Sequence, residues 1–244
     1  MTPHSTSPVS LEYSFPGRWV GGTALVLGPS LWLVGLVLRL PFHFFFPQQL
    51  QAYHEAPGRL TAAYACVLFG GIVTSLGVIT LATEIGRSRP LWATWGGVLV
   101  LLGLFTRAFH AGVDHLAFQL VPQFGPSEAA AIISRSYGAF QPVSVFVPAL
   151  MGGWIVLAIG AYRSNLLPLW RAIGLGLTGG LMGGVLKGTT AWSMLWVGGL
   201  AVGCVPLGLQ MLVADPRPSA RSAAGWLAVV CVVLVLCFVL GQLG

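Results

Sequence analysis

Seven apolar runs, each about 18 to 31 residues long, divide the chain, and at a rise of about 1.5 Å per helical residue each can cross a hydrocarbon core of roughly 30 Å. Nothing else in the sequence restricts the fold as strongly. Backbone polar groups inside a bilayer must be satisfied internally, so such a chain is an all-α, polytopic membrane bundle. Composition agrees: 56% of the 244 residues are hydrophobic and only 7% are charged, against roughly 25% charged in a soluble domain. The expected spans are 19–46, 60–82, 91–121, 141–162, 168–186, 189–213 and 223–243. Residues 1–18, polar and rich in Ser and Pro, read as a disordered cytoplasmic tail, and residues 19–244 as one seven-helix transmembrane domain.

Basic residues set the orientation. With the N-terminus inside, the inner tail and loops hold Arg18, Arg87, Arg89, Arg163, Arg171, Arg217 and Arg221, while the outer loops hold Arg59, Arg135 and Lys187. Seven against three favours an N-in, C-out arrangement in the cell membrane. The net charge of +6 is scattered through short loops and forms no stripe that could follow a phosphate backbone, which argues against nucleic acid as a partner. Cys66, Cys204, Cys231 and Cys237 stand singly in apolar runs and read as small core residues. No cofactor fingerprint is present.

The fifth run, from Gly174 to Gly184, repeats small residues at helical spacing, which lets neighbouring helices approach closely and offers a route to a homo-oligomer. Pro29, Pro41, Pro148 and Pro206 are expected to kink or end helices. Between the third and fourth spans, Pro126-Ser127-Glu128 followed by an Ala/Ile run predicts a short helix near 126–137 on the outer membrane surface.

The chemistry-bearing segment is Thr106-Arg107-Ala108-Phe109-His110-Ala111-Gly112-Val113-Asp114-His115. Ionisable groups within a span cost several kcal/mol unless they pair or face a cavity. At about 100° per residue, Arg107, His110, Asp114 and His115 share one sector of roughly 140°, opposite Phe105, Phe109, Leu116 and Leu120. If the span begins near Trp92, Arg107 lies about 22 Å and Asp114 about 33 Å along it, in the outer leaflet. The first span brings Arg39 and His43 to the same side, Glu55 follows in the first outer loop, and Gln141 and Lys187 arrive from later connections. Asp114, beside His110 and Arg107, is the candidate proton donor or base. Arg39, His43, Glu55, His115, Gln141 and Lys187 are expected to line the mouth and contact substrate. The histidines and acids also form a conceivable zinc set, but no HExxH or HxxxH spacing supports it, so no metal is assigned. A buried Arg107–Asp114 network fixing helix packing is the structural alternative.

In size, span count, aromatic richness and isolated acids, the chain resembles the small seven-span membrane terpene cyclases of meroterpenoid and indole-terpenoid pathways. That resemblance implies protonation of an alkene or epoxide on a prenyl chain by a carboxylic acid, with aromatic faces steadying the cation. The family's acids are not carried over by motif, so Asp114 and Glu55 stand on this chain's own pattern. The expectation is therefore a cofactor-free membrane enzyme acting on a lipophilic, isoprenoid-like substrate. A non-enzymatic transporter, immunity or ligand-binding protein, and a metal-dependent membrane hydrolase, are the other classes the same residues allow.

Overall fold

The computed structural model of the chain describes residues 15–137, 142–181, 185–215 and 219–242. Most of the expected tail, and Gln141, lie outside the described residues. Eight α-helices are present among those described: α1 (Arg18–Arg39), α2 (Phe46–Glu55), α3 (Pro57–Gly86), α4 (Pro90–Tyr137), α5 (Val147–Arg163), α6 (Leu169–Leu177), α7 (Ala191–Val213) and α8 (Ala220–Gln242). Six helical segments are long and apolar enough to cross a membrane, which marks a multi-pass membrane protein.

The first apolar run is divided. Helix α1 stops at Arg39, because Pro41 has no N–H to continue the ladder and disfavours helix at the residue before it. After a bend, Pro47 near the start of α2 begins a second, short helix whose buried face is Gln49, Leu50 and Ala52. Helix α4 is broken at Gly125, whose φ of 79° and ψ of 162° are closed to helical geometry, so residues 126–137 form a separate helical piece. Ala129 and Ile133 of that piece are buried in a cluster with Leu50 of α2 and Phe118 of α4. Tyr53 stacks on Phe118 at 4.5 Å and Tyr64 meets it edge-on at 4.8 Å, tying α2, α3 and α4 together.

The long helices of the first compact unit, Met1–Leu212, run antiparallel at close range. A Cβ on Gly28 would lie 2.9 Å from Thr74 N across α1 and α3. A Cβ on Gly96 would lie 2.8 Å from Leu157 N and Cα across α4 and α5. Helix α7 returns alongside α1, with Gly208 near Gly22 at one end and Thr189 bonded to Leu36 at the other. Arg163 at the end of α5 and Ala191 at the start of α7 therefore occupy opposite ends of the unit.

The expected fifth span, 168–186, is not a continuous helix. Only nine residues form α6, followed by a single 3-10 turn at Thr178–Gly180 and an irregular segment over residues 185–190. Six glycines between 174 and 184 explain this, since each costs about 1 kcal/mol relative to Ala in a helix. Two of these glycines pack within the chain: Gly174 of α6 against Gly199 of α7, and Gly180 of the 3-10 turn against the Trp196 ring. Arg171 anchors α6 to α7 by donating to the carbonyls of Val202 (3.2 Å) and Gly203 (2.7 Å).

The second unit, Val213–Gly244, contains α8, whose window of mean hydropathy 2.9 includes no buried residue.

Candidate functional site

Helices α1, α3, α4 and α7, together with residues 187–190, enclose a cavity of about 550 Å³. One side is apolar, built from Leu36, Leu68, Ile72, Leu76, Leu104 and the indoles of Trp192 and Trp196. The other side is polar. Because 107, 110, 111 and 114 recur at three- and four-residue spacing, α4 presents Arg107, His110 and Asp114 to the same space. Arg39 enters from the last turn of α1, and Lys187 from the irregular segment.

The irregular segment is fastened by its backbone. Leu186 N donates to Asp114 Oδ1 at 2.5 Å, and Lys187 O accepts from Arg39 Nη1 at 2.8 Å. Gly188 N donates to Phe44 O at 2.9 Å, and Thr189 Oγ1 to Leu36 O at 2.9 Å. Leu186 is fully buried at φ 51°, a left-handed conformation that few bulky residues adopt. These bonds explain how non-helical backbone is held inside a membrane bundle: its polar groups find protein partners.

Arg39 is 4% exposed, and its guanidinium lies 4.7 Å from the centre of the Tyr64 ring. Tyr64 Oη donates to Gln49 Oε1 at 3.0 Å, and Gln49 Nε2 donates to His43 O. Arg39 Nε is buried without a hydrogen-bond partner. His110 is 3% exposed, and neither ring nitrogen has a partner. Its ring stands edge-on to Phe109 and Tyr137. The guanidinium of Arg107 lies over Trp32, 5.8 Å from the ring centre.

Of the residues singled out from the sequence, Arg39, Arg107, His110, Asp114 and Lys187 meet at this cavity. His43, Glu55 and His115 do not line it and are exposed. His43 lies beyond the Pro41 bend, where its Nδ1 accepts from Phe45 N at 3.2 Å. Glu55 at the end of α2 accepts from Gln51 at 2.8 Å. His115 follows Asp114 by one residue, a turn of about 100° away from the cavity. The fixing partners Gln49, Tyr64 and Thr189 are not among the residues singled out from the sequence. A lone Tyr in the apolar α3 and a Gln in the short amphipathic α2 were the signals for two of them. Among the described residues no three of His, Cys, Asp and Glu gather as a metal-ligand set.

Comparison with protein-family models, with curated proteins and with solved structures gives no match, so the geometry of this cavity carries the functional reading.

Proposed function

We propose that this protein is a cell-membrane enzyme that draws a lipophilic, isoprenoid-like substrate into the cavity and acts on it by proton transfer. The observation that supports this most is one juxtaposition: Asp114 and the unpartnered imidazole of His110 share a cavity whose remaining walls are largely apolar. Its volume of about 550 Å³ lies in the range of small-molecule sites. With Oδ1 of Asp114 engaged by Leu186 N, Oδ2 is the oxygen that carries the transferred proton. The carboxyl O–H breaks as a C–H or epoxide O–H bond forms; the cation that develops is steadied by the Trp192 and Trp196 indoles and ends as a double bond when a neighbouring C–H gives its proton to the imidazole of His110, which returns it to Asp114. His110 relays the proton, and Arg107 stabilises the carboxylate left behind. In this reading the N-terminus is cytoplasmic and the chain crosses seven times, the fifth passage being α6 and the irregular segment.

The test is incubation of the full chain in lipid nanodiscs with a farnesyl-chain epoxide, followed by chromatography and mass spectrometry. A cyclised or rearranged alcohol of the same mass as the epoxide, absent from Asp114→Asn, is expected. Equal product from Asp114→Asn refutes the assignment. A second reading, ligand binding without turnover, draws on the engagement of Asp114 by Leu186. It takes over if the epoxide binds saturably and is recovered unchanged.

A further inference from the structure

The cavity is lined by three basic side chains, Arg39, Arg107 and Lys187, and one acidic side chain, Asp114. Even with Asp114 ionised, the bases outnumber it. Of these, Arg39 is buried and Arg107 and Lys187 are half-buried, and basic charge held away from bulk water favours an anion beside it. The hydrogen-bond inventory points the same way. Arg39, 4% exposed, spends Nη1 on the Lys187 carbonyl, yet its Nε is buried with no acceptor. His110, 3% exposed, has neither nitrogen engaged. Two buried side chains on one cavity thus hold hydrogen-bonding nitrogens without partners, against a background in which buried polar groups are nearly always bonded. The hydroxyls that line the cavity, on Tyr64, Ser75, Thr190 and Ser193, are bonded elsewhere and to neither Arg39 Nε nor His110, so the missing acceptor comes from what enters.

A neutral lipophile leaves Arg39 Nε unsatisfied and the charge excess standing, and a cationic one adds to it. A free inorganic anion satisfies the polar side but leaves the apolar side empty. That apolar side extends to Ile72 of α3, Phe105 of α4 and Trp192 of α7, each of which lines the cavity and is more than half exposed on the bundle surface. An apolar chain therefore has a route between the helices from the lipid-facing side. By the roughly 30 Å³ that a water occupies in the liquid, about fifteen to twenty non-hydrogen atoms fit. We infer that the cavity binds a single-chain amphiphile with an oxyanion head, a phosphate or a carboxylate. The head is held by Arg39, His110, Arg107 and Lys187, and the chain lies against Leu68, Ile72 and the α7 indoles. This rests on the cavity being the substrate site, and it assigns the class of molecule that site accepts.

The test uses the full chain in phosphatidylcholine nanodiscs and four dodecyl-chain probes brominated at the chain end: phosphate, carboxylate, alcohol and trimethylammonium. The reading is tryptophan quenching that the unbrominated competitor reverses, which separates binding in the cavity from partition into the bilayer. Reversible quenching by an anionic probe is expected at about tenfold or more lower mole fraction than by the alcohol or the ammonium. Comparison of the phosphate and carboxylate arms identifies the head. Arg39→Gln and Lys187→Gln are each expected to weaken the anionic probe by about tenfold, while Asp114→Asn, which removes the one competing carboxylate, binds it at least as tightly. Lys187→Gln keeps the backbone carbonyl that Arg39 uses, so it reports the charge even if Arg39→Gln does not fold. Equal reversible quenching by alcohol, ammonium and anions overturns the head assignment and leaves the cavity as a site. Anion binding unchanged in both variants also overturns it, by placing the head elsewhere. No reversible quenching by any probe removes the cavity reading itself.

Discussion

Asp114 is the residue whose replacement separates the structural from the chemical contributions of the site. Its described hydrogen bond runs from the backbone N–H of Leu186 to Oδ1, 2.5 Å long and buried. Among the described residues it is also the only acid beside three bases on the cavity. Asp114→Asn keeps an oxygen for Leu186 and removes both the charge of the ionised form and the proton that the acid form delivers. Asp114→Ala removes the oxygen as well. A hydrogen bond to a charged group contributes about 1.5–3 kcal/mol and a neutral one about 0.5–1.5, so the weaker bond alone costs Asn about 1–1.5 kcal/mol. Loss of the counter-charge adds up to about 3–5 kcal/mol if the bases are fully desolvated. That second loss is common to both variants. They differ by one acceptor, and a buried N–H left unsatisfied costs about 1–3 kcal/mol. The expected order is Asp, then Asn, then Ala, with a separation between the last two of about 1–3 kcal/mol, or roughly 2–12 °C in Tm for a chain of this size. Thermal unfolding in nanodiscs, followed by tryptophan emission and by circular dichroism, measures it. Coincident Asn and Ala transitions would show that Oδ1 contributes nothing through Leu186. An Asn variant as stable as wild type would show that the carboxylate is not coupled to the surrounding bases.

Three further outcomes are expected. Leu186 sits at φ 51°, which costs an L-residue about 1–2 kcal/mol, so Leu186→Gly should be at least as stable as Leu186→Ala in the same unfolding assay; a clearly more stable Ala contradicts the left-handed backbone. Gly96→Ala places a methyl 2.8 Å from the Leu157 backbone and should lose about 1–3 kcal/mol, whereas Gly112→Ala, with nothing within 4 Å, should be neutral or slightly stabilising; equal effects would deny the close α4–α5 approach. A reporter fused after Gly244 should be extracytoplasmic and one in the 83–90 loop cytoplasmic, and a cytoplasmic C-terminus would reverse the orientation drawn from the basic residues.

How far the site could be read in advance depended on whether its parts share one regular element. Arg107, His110 and Asp114 lie on a single stretch of α4 before the Gly125 break, and helical periodicity alone places them on one face. Arg39 and Lys187 lie 148 residues apart and meet only through the antiparallel pairing of α1 with α7. Their common end of the bundle followed from counting spans, but the bond from the guanidinium to the Lys187 carbonyl had no signal in the residue pattern. His43 and Glu55 are close to Arg39 in sequence yet leave the cavity, because Pro41 ends α1 and turns the chain into α2. Hydropathy registered 168–186 as one more apolar run because it weighs side chains and is blind to glycine's backbone cost. Counting the six glycines as helix breakers would have predicted the short α6.

The broken helix and the polar cavity have a common physical origin. In a continuous helix over 168–190, most backbone N–H and C=O groups would be occupied in the helix's own ladder. With the helix ending at the 3-10 turn of Thr178–Gly180, residues 186–188 retain backbone groups to offer elsewhere. Leu186 N takes the Asp114 carboxylate, Lys187 O takes the Arg39 guanidinium, and Gly188 N takes Phe44 O beyond the end of α1. Both ends of each bond gain: the irregular backbone is satisfied where lipid could not satisfy it, and the charged side chains are fixed at the cavity wall. Arg39 uses one nitrogen in this and retains a buried Nε, and Asp114 uses one oxygen and retains the other. Loss of helical structure in this stretch is thus what positions an acid and a base together beside an apolar chamber, with hydrogen-bonding capacity left over for a ligand.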